Sequence, residues 1–395
     1  MPTRSVFQRV YLDYNATAPM LPVALERMTS AASALPGNPS SPHGFGQDAR
    51  AALEAARAAL AARLGYNRSE VIFTSGGSEG NATLLGSLNG QDRPAHMITS
   101  PIEHPSVLRM AEWLASRGVA VSHLPVDGQG LIDPAALPGL LRPETRLVSV
   151  MAANNETGVI QPLAEIASEL RSYREEGEVL LHADAVQAFG RIPLDLAGWG
   201  YDACTITAHK IGGPKGIGVL ACRERWALSP LVRGGAQERG RRAGTESVFL
   251  AEGFAAAAEW VWAQAEALPD RLCALRDRLI ALLREEDGFF LNGAQAPRLP
   301  NTVNGGFLGV PAPGLLTAMD LDGVAVSSGS ACSSGAIEPS HVLTAMGLPL
   351  ERVQASLRIS LGHATTEAEI ERCADVMCRQ SRRIRAMNRA ERRPA

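Results

Sequence analysis

The chain has 395 residues, 46% hydrophobic and 20% charged, enough for two domains or one large α/β domain and too apolar for a largely disordered chain. A formal net charge of -3 gives no global basic field that would draw it onto nucleic acid. Its 38 glycines and 25 prolines follow no period, which excludes collagen and simple arrays.

Met1 to Val10 has no apolar core of signal-peptide length, and no run of ~18 apolar residues occurs, so a cytoplasmic enzyme with no membrane partner is expected. The first predicted helix is Ala-rich, from Asp48 to Leu64, with Gly65 as its stop. Strand-like and helix-like runs then alternate. Val71–Thr74 is a short β run, followed by a Gly/Ser turn and a helix from about Glu79. His96–Thr99 is a further β run, and a helix starts near Pro105. Val119–Pro125, Arg146–Met151, Val179–His182, Cys204–Thr207 and Gly218–Cys222 read as strands, with a helix at Leu163–Tyr173. Such alternation implies an α/β fold with a mostly parallel sheet covered on both faces.

After about Thr245 the texture changes. Glu252–Leu268 and Asp270–Glu285 read as long helices, and Asn301 to Ser328 as a β-rich stretch. A last helix begins at Thr366, where Thr366 and Glu369 fit a capping box. A large α/β domain and a smaller α+β domain follow from this, and the basic tail (Arg382 to Arg393) reads as a solvated helix end.

Two counts narrow the chemistry. Of 38 basic side chains only two are lysine, Lys210 and Lys215, five residues apart in a glycine-framed segment. Lysine supplies an amine that can deprotonate, which arginine cannot. Lys215, set among glycines, reads as structural or surface. Six cysteines are scattered without a C-x-x-C pair, so neither a zinc site nor a disulfide framework is indicated, and no metal is expected. Cys204, Cys222, Cys273, Cys373 and Cys378 read as small buried hydrophobes. Cys332 lies instead in a small, polar stretch, Ser327 to Gly335, and reads as a reactive thiol.

In open parallel sheets, ligands bind at the carboxyl ends of the strands. Several polar clusters fall at such ends. Thr74-Ser75-Gly76-Gly77-Ser78-Glu79 opens a helix and could cradle an anion such as a phosphate, although similar turns occur without ligand. Glu103-His104-Pro105 offers a stacking platform or a proton shuttle, or a structural histidine. Asn154-Asn155-Glu156-Thr157-Gly158 offers neutral amides to orient a carboxylate or phenolic oxygen, or plain turn chemistry. Asp184 ends an apolar strand, where it needs a cationic partner. Thr207-Ala208-His209-Lys210 ends the next strand. Pyridoxal phosphate would use all five, since its phosphate needs donors, its ring nitrogen a carboxylate and its aldehyde a lysine. The loop Arg239 to Thr245 reads either as charged surface or as an arm that reaches an anion across a subunit interface. Arg358, alternating with apolar residues, reads as a carboxylate clamp or a structural ion pair.

Read together, these residues resemble the cysteine desulfurases of the NifS/IscS type, in the class V aminotransferase group of fold-type I pyridoxal phosphate enzymes. The resemblance runs from Tyr11-Leu12-Asp13-Tyr14-Asn15-Ala16-Thr17 to Arg358-Ile359-Ser360-Leu361-Gly362, through Gly37-Asn38-Pro39-Ser40-Ser41, Asn154–Gly158, Gly212–Gly216 and Ser327–Cys332. It implies a large cofactor-binding domain over residues 15–258 and a small domain of 1–14 and 259–395 that carries the cysteine loop. It implies that Lys210 holds pyridoxal phosphate through its amine and moves the substrate's α-proton. Asp184 would pair with the ring nitrogen, Gln187 with the ring oxygen, and His104 would stack on the ring and assist proton transfer. Gly77, Ser78, Thr207 and His209 would hold the phosphate, with Thr245 supplied by the neighbouring subunit of a homodimer. Arg358 and Asn155 would hold the substrate carboxylate. Cys332 would take sulfur from L-cysteine as a persulfide, leaving L-alanine, and pass it to a sulfur acceptor or iron–sulfur scaffold protein.

Overall fold

The computed structural model describes residues 9–89, 94–174, 179–328 and 339–391. The short apolar runs pair into a seven-stranded sheet. Its spatial order is Val71–Thr74, Gly218–Cys222, Ala203–Thr207, Leu180–Asp184, Thr145–Met151, His96–Thr99 and Ala120–His123. Gly218–Cys222 is antiparallel to both neighbours, and the other pairings are parallel. Six strands therefore point one way. Thr74, Thr99, Met151, Asp184 and Thr207 all fall on one edge of the sheet.

Alternation along each strand decides which face a side chain covers. Ile72, Met97, Leu147, Leu180 and Leu220 enter one buried cluster. Their neighbours Phe73, Ile98, Val148, Leu181 and Val219 enter another, on the opposite face. The sheet is thus covered on both sides, as parallel sheets require. Pro22–Ala34, Gly44–Leu64 and Val248–Ala263 supply much of the second cover, and the last of these packs on the other two. A separate core gathers Val10, Leu12, Leu279, Phe307, Leu357, Ile359, Ile370 and Met377. Its sheet is antiparallel, with Thr302–Phe307 between Phe289–Leu291 and Ser356–Ser360. Val10–Tyr11 pairs in parallel with Val324–Ala325, so the N-terminal segment joins C-terminal elements.

Several sequence expectations change: the helix Pro22–Ala34 was not foreseen, and the helices expected at Glu252–Leu268 and Asp270–Glu285 lie at Val248–Ala263 and Ala267–Arg284. The first long helix starts at Gly44, not Asp48, because the His43 ring accepts from the Gly46 amide and caps it. It ends as expected at Gly65, in the left-handed region at φ 72, where an added Cβ would meet Ala197 Cβ at 2.7 Å. The stretch Asn301 to Ser328 holds a ten-residue helix, Ala312–Leu321, between its strands. Ala312, Leu315 and Met319 recur at helical spacing and are buried, a period hidden among prolines and glycines. The basic tail is also not simply solvated. In the helix Glu367–Glu391, Arg382 pairs with Glu286 at 2.8 Å, and Arg385 donates to the Asp287 carbonyl at 2.6 Å. The capping box holds: the Thr366 amide donates to Glu369 at 2.8 Å and the Glu369 amide to Thr366 Oγ1 at 3.3 Å.

Candidate active site

The anion cradle begins with backbone geometry. Gly76, at φ 157 and ψ -178, occupies a region essentially restricted to glycine, and the helix Gly77–Gly86 starts immediately after it. An added Cβ at Gly77 would meet Val186 Cγ2 at 2.8 Å, and one at Gly80 would meet Thr205 Cγ2 at 2.8 Å. These glycines let the helix start sit directly on the sheet edge. Gly76, Gly77 and Ser78 line a cleft of about 460 Å³ with Thr17, Glu79, Thr207, His209 and Lys215. The Thr207 hydroxyl donates to the Ile217 carbonyl at 3.0 Å. His209 Nδ1 lies 3.2 Å from Thr17 Oγ1. Burial, with Lys210, Lys215 and Arg191 nearby, brings the His209 ring down to about 4.

Lys210 follows strand Ala203–Thr207 in a single helical turn. Its Nζ donates to the Asn15 carbonyl at 2.5 Å and the Ala16 carbonyl at 2.8 Å. No carboxylate pairs with it among the described ion pairs. Burial first, then the Arg191 and Arg358 guanidinium groups, brings its ammonium down to about 7, against upward pulls from Asp13 and Asp184. This is the environment that turns a lysine into a usable amine near neutral pH.

Asp184 ends strand Leu180–Asp184 and is buried. Its oxygens accept from Asn81 Nδ2 at 2.8 Å and the Val186 amide at 3.0 Å. No cationic side chain of the described residues forms an ion pair with it. The cation expected from the sequence is therefore not a neighbouring side chain, and two neutral donors solvate the carboxylate instead. Asn81 continues to Ser106 Oγ at 2.9 Å, and Ser106 Oγ lies 2.8 Å from His104 Nδ1. The Ser106 amide donates to the same Nδ1 at 3.1 Å, so a neutral His104 carries its proton on Nε2. Burial lowers the His104 pKa, and Lys210 and His341 add to this against Asp184. Lys210, Asp184 and His104 thus act on one another electrostatically at the carboxyl edge of the sheet.

The other sequence-predicted residues divide. The Arg358 guanidinium is buried, donates to Asp13 at 2.8 Å and to the Asn155 carbonyl at 3.2 Å, and leaves Nε without a partner among the described residues. It is both an ion pair and a partly unused clamp. Asn155 meets it through its carbonyl oxygen. Gln187 donates to the Asn15 carbonyl at 3.0 Å and accepts from Arg191. Thr245 is exposed and does not line its own chain's cleft. Cys332 lies outside the described residues. Of the remaining cysteines, Cys204, Cys222, Cys373 and Cys378 are buried as expected, whereas Cys273 is half-buried. Burial pushes the Cys204, Cys222 and Cys373 thiols up to about 12.

Sequence reasoning gave no role to Asn15 or Arg191. Asn15 accepts from Lys210 and Gln187 through its carbonyl and from Arg191 and Asn301 through its side chain, and it donates to Thr302 Oγ1 at 3.0 Å. Its signal was its place within Tyr11–Thr17. Arg191, which also reaches the Lys210 carbonyl at 3.2 Å, carries no local signal at all.

Known proteins share the sequence and the fold of this chain. The aminotransferase class-V family model matches residues 10–373. The cysteine desulfurase of Trichormus azollae is 43% identical over 381 residues, covering 96% of this chain and 94% of that protein. A solved NifS-like protein superposes with a TM-score of 0.88 at 34% identity, covering 97% of this chain and 100% of that one. SspA in complex with cysteine superposes with a TM-score of 0.79 at 32% identity, over 89% of this chain and 98% of that one. By its sequence and its fold, the chain belongs to the class-V aminotransferase family, among the cysteine desulfurases.

Proposed function

We propose that the chain is a cysteine desulfurase that uses pyridoxal phosphate to convert L-cysteine to L-alanine and supplies the sulfur to an acceptor for iron–sulfur cluster or thio-cofactor synthesis. The observation that carries the reading is the state of Lys210, a buried amine lowered to about 7, near an Asp184 whose hydrogen-bond donors among the described residues are the neutral Asn81 side chain and the Val186 amide.

The residues present fit the cofactor. Gly76, Gly77 and Ser78 form a cradle at a helix start, Asp184 has acceptor capacity for a ring N–H, and Arg358 Nε is a buried donor without a partner. Lys210 would hold the cofactor through its amine, Asp184 its ring nitrogen, Gln187 its ring oxygen and Gly77, Ser78, Thr207 and His209 its phosphate. When bound, pyridoxal phosphate supplies an electron sink for charge developed at the substrate's α-carbon. Lys210, near-neutral in this setting, can take and return the α-proton at Nζ. His104 keeps a proton on Nε2 to deliver. Arg358 and Asn155 orient the substrate carboxylate. Cys332, as a thiolate, attacks the substrate sulfur, and the carbon–sulfur bond breaks to leave a persulfide and, after protonation, alanine.

The described flanks of the cysteine segment support its part in the site. Ser327 exchanges backbone hydrogen bonds with Arg358 at 2.7 and 3.0 Å, and Ser340 Oγ donates to the buried Glu156. Exposed Met20 and Phe249 line an open apolar groove with Tyr11, Met28 and Leu250, which supports a homodimer. Within that dimer Thr245 would serve the neighbouring site. The smaller core, drawn from Val10, Leu12 and residues between Leu272 and Cys378, supports a small domain of 1–14 and 259–395 beside a large one over 15–258, although Val261, Leu299 and Val342 pack into the larger core. The five described cysteines are free, as a reducing cytoplasm keeps them.

The test is an assay of alanine and sulfide from L-cysteine with a thiol reductant. Equal amounts are expected from the wild-type protein. The Cys332→Ser variant is expected to keep bound cofactor and release neither product. Continued sulfide release by that variant would remove Cys332 from the mechanism.

A further inference from the structure

The cleft that would take the cofactor phosphate has a carboxylate in its wall. Glu79 lines it and is largely buried, with its side chain 10% exposed. One of its oxygens accepts from the Ser75 amide at 2.7 Å, which bends the carboxylate back over the Ser75-Gly76-Gly77 turn. An anion placed there meets a negative charge at short range, in a partly buried setting where charge interactions are weakly screened. A phosphate site built this way fails unless the carboxylate is neutralised.

The neutralising group comes from elsewhere in the chain. Arg242 Nε donates to Glu79 at 3.0 Å, and its Nη2 lies 3.5 Å from the other oxygen. Arg242 is held in place by a loop whose own fixing is unusual. Glu238 and Arg239 both adopt positive φ, 49 and 58, although neither is glycine. The strained turn is over-determined by a buried anchor. Both Glu238 oxygens accept from Arg57, at 2.6 and 2.9 Å, and one also accepts from the Phe73 amide at 3.1 Å. Phe73 belongs to the strand that runs into the cradle. Arg241 then ties to the Glu238 and Ser69 carbonyls at 3.2 and 2.6 Å. The loop is thus referenced to the same strand as the cradle, and Arg242 meets Glu79 in a fixed position.

We propose that Arg242 is a positioning residue for the phosphate cradle, acting not by touching the anion but by cancelling the Glu79 carboxylate in the cradle wall. Among the described residues that line the cleft, Glu79 and Lys215 carry opposite charges, and Arg242 pairs with Glu79 without lining the cleft itself. Without Arg242, the Glu79 carboxylate is left to oppose Lys215 in the cleft wall. Glu79 is kept because it fixes the Ser75 turn, a bond that a glutamine carbonyl can also accept. The proposal rests on the cofactor reading above, and it assigns Arg242 to electrostatics in its own chain.

The experiment titrates cofactor-free protein with pyridoxal phosphate and, separately, with pyridoxal, which lacks the phosphate, following the absorbance of the bound form. Arg242→Ala is expected to weaken pyridoxal phosphate at least about tenfold and pyridoxal less than about twofold. Glu79→Gln alone is expected to bind pyridoxal phosphate at least as tightly as the wild-type protein. Glu79→Gln in the Arg242→Ala background is expected to restore it to within about threefold. A phosphate-specific loss that Glu79→Gln does not restore would mean that Arg242 holds the anion itself, and overturns the proposal. Equal weakening of both ligands overturns it as well, since the loss would then be structural. Should Arg242→Ala not fold, weaker pyridoxal phosphate binding by Glu79→Gln alone overturns it. A wild-type protein that binds pyridoxal but gains nothing from the phosphate overturns it while leaving the Lys210 site intact. One that binds neither ligand refutes the cofactor reading itself.

Discussion

Two regions of the molecule treat charge in opposite ways. At the carboxyl edge of the seven-stranded sheet, Lys210 bonds, among the described residues, only to carbonyl oxygens and Asp184 only to an amide side chain and a backbone N–H. At the loop from Gln237 to Thr245, charge meets opposite charge. Arg57 grips Glu238, Arg242 meets Glu79, and Arg239 reaches Glu224 at 3.4 Å. A buried ionisable group without a counter-ion is held in its less charged form or waits for a partner, and is therefore reactive. A paired one is chemically quiet and geometrically fixed. The first region is built to do chemistry and the second to hold a shape.

Substitutions at the two regions should therefore fail differently. The largest effect is expected at Lys210→Ala. Desulfuration should fall roughly a thousandfold or more while the melting temperature is kept or raised, because a buried cation-forming group has been removed. A large loss of thermal stability in that variant would break the contrast. The next effect is expected at Arg57→Ala, which leaves Glu238 buried without its bidentate partner. A loss of about 3–5 kcal/mol in a denaturant titration is expected. Loss of less than about 1 kcal/mol would show that the pair does not anchor the loop.

The last effect, smallest when read per pH unit, sharpens the comparison through pH. Glu103 is buried beside His104, and burial pushes its carboxyl up to about 8, with Asp184 adding to this against hydrogen bonds from Ser100 and the Met151 amide. The folded state keeps this proton while the unfolded chain releases it above its ordinary carboxylate pKa. Between roughly pH 5 and 8 the folded state thus binds more protons, and stability falls as pH rises, by up to about 1.4 kcal/mol per unit from this group. Glu103→Gln should remove that slope and leave stability below about pH 4 nearly unchanged. An unchanged slope would mean that Glu103 is ionised in the folded protein.

The legible part of the site was the part encoded locally. Gly76-Gly77-Ser78, His104, Asp184 and Lys210 each follow a short apolar run, so strand periodicity places them on one edge before any contact is known. Asp184 shows the limit of that reasoning. The strand end was readable, but the partner is Asn81, which lies 103 residues away and carries no charge to flag it. Arg191 and Arg57 were invisible for a related reason. Their partners Asn15 and Glu238 are 176 and 181 residues distant, and spacing within one element says nothing about such pairs. The fold was legible where the periodicity was clean and was missed at Ala312–Leu321, where prolines and glycines obscured the helical repeat.

Asn15 has one more consequence, for the order in which the protein becomes active during synthesis. Its amide donates to Ser360 Oγ at 2.9 Å across 345 positions of sequence, while its carbonyl receives the Lys210 amine. Neighbouring Asp13 is held by Arg358 over the same span. A nascent chain still lacking its last strand on the ribosome can build the sheet that bears Lys210, but the segment that seats that amine then lacks its ties to Ser360 and Arg358. The last strand to be synthesised thus completes the support of a seat made by the first segment, and a chain truncated before Arg358 should hold its lysine less firmly.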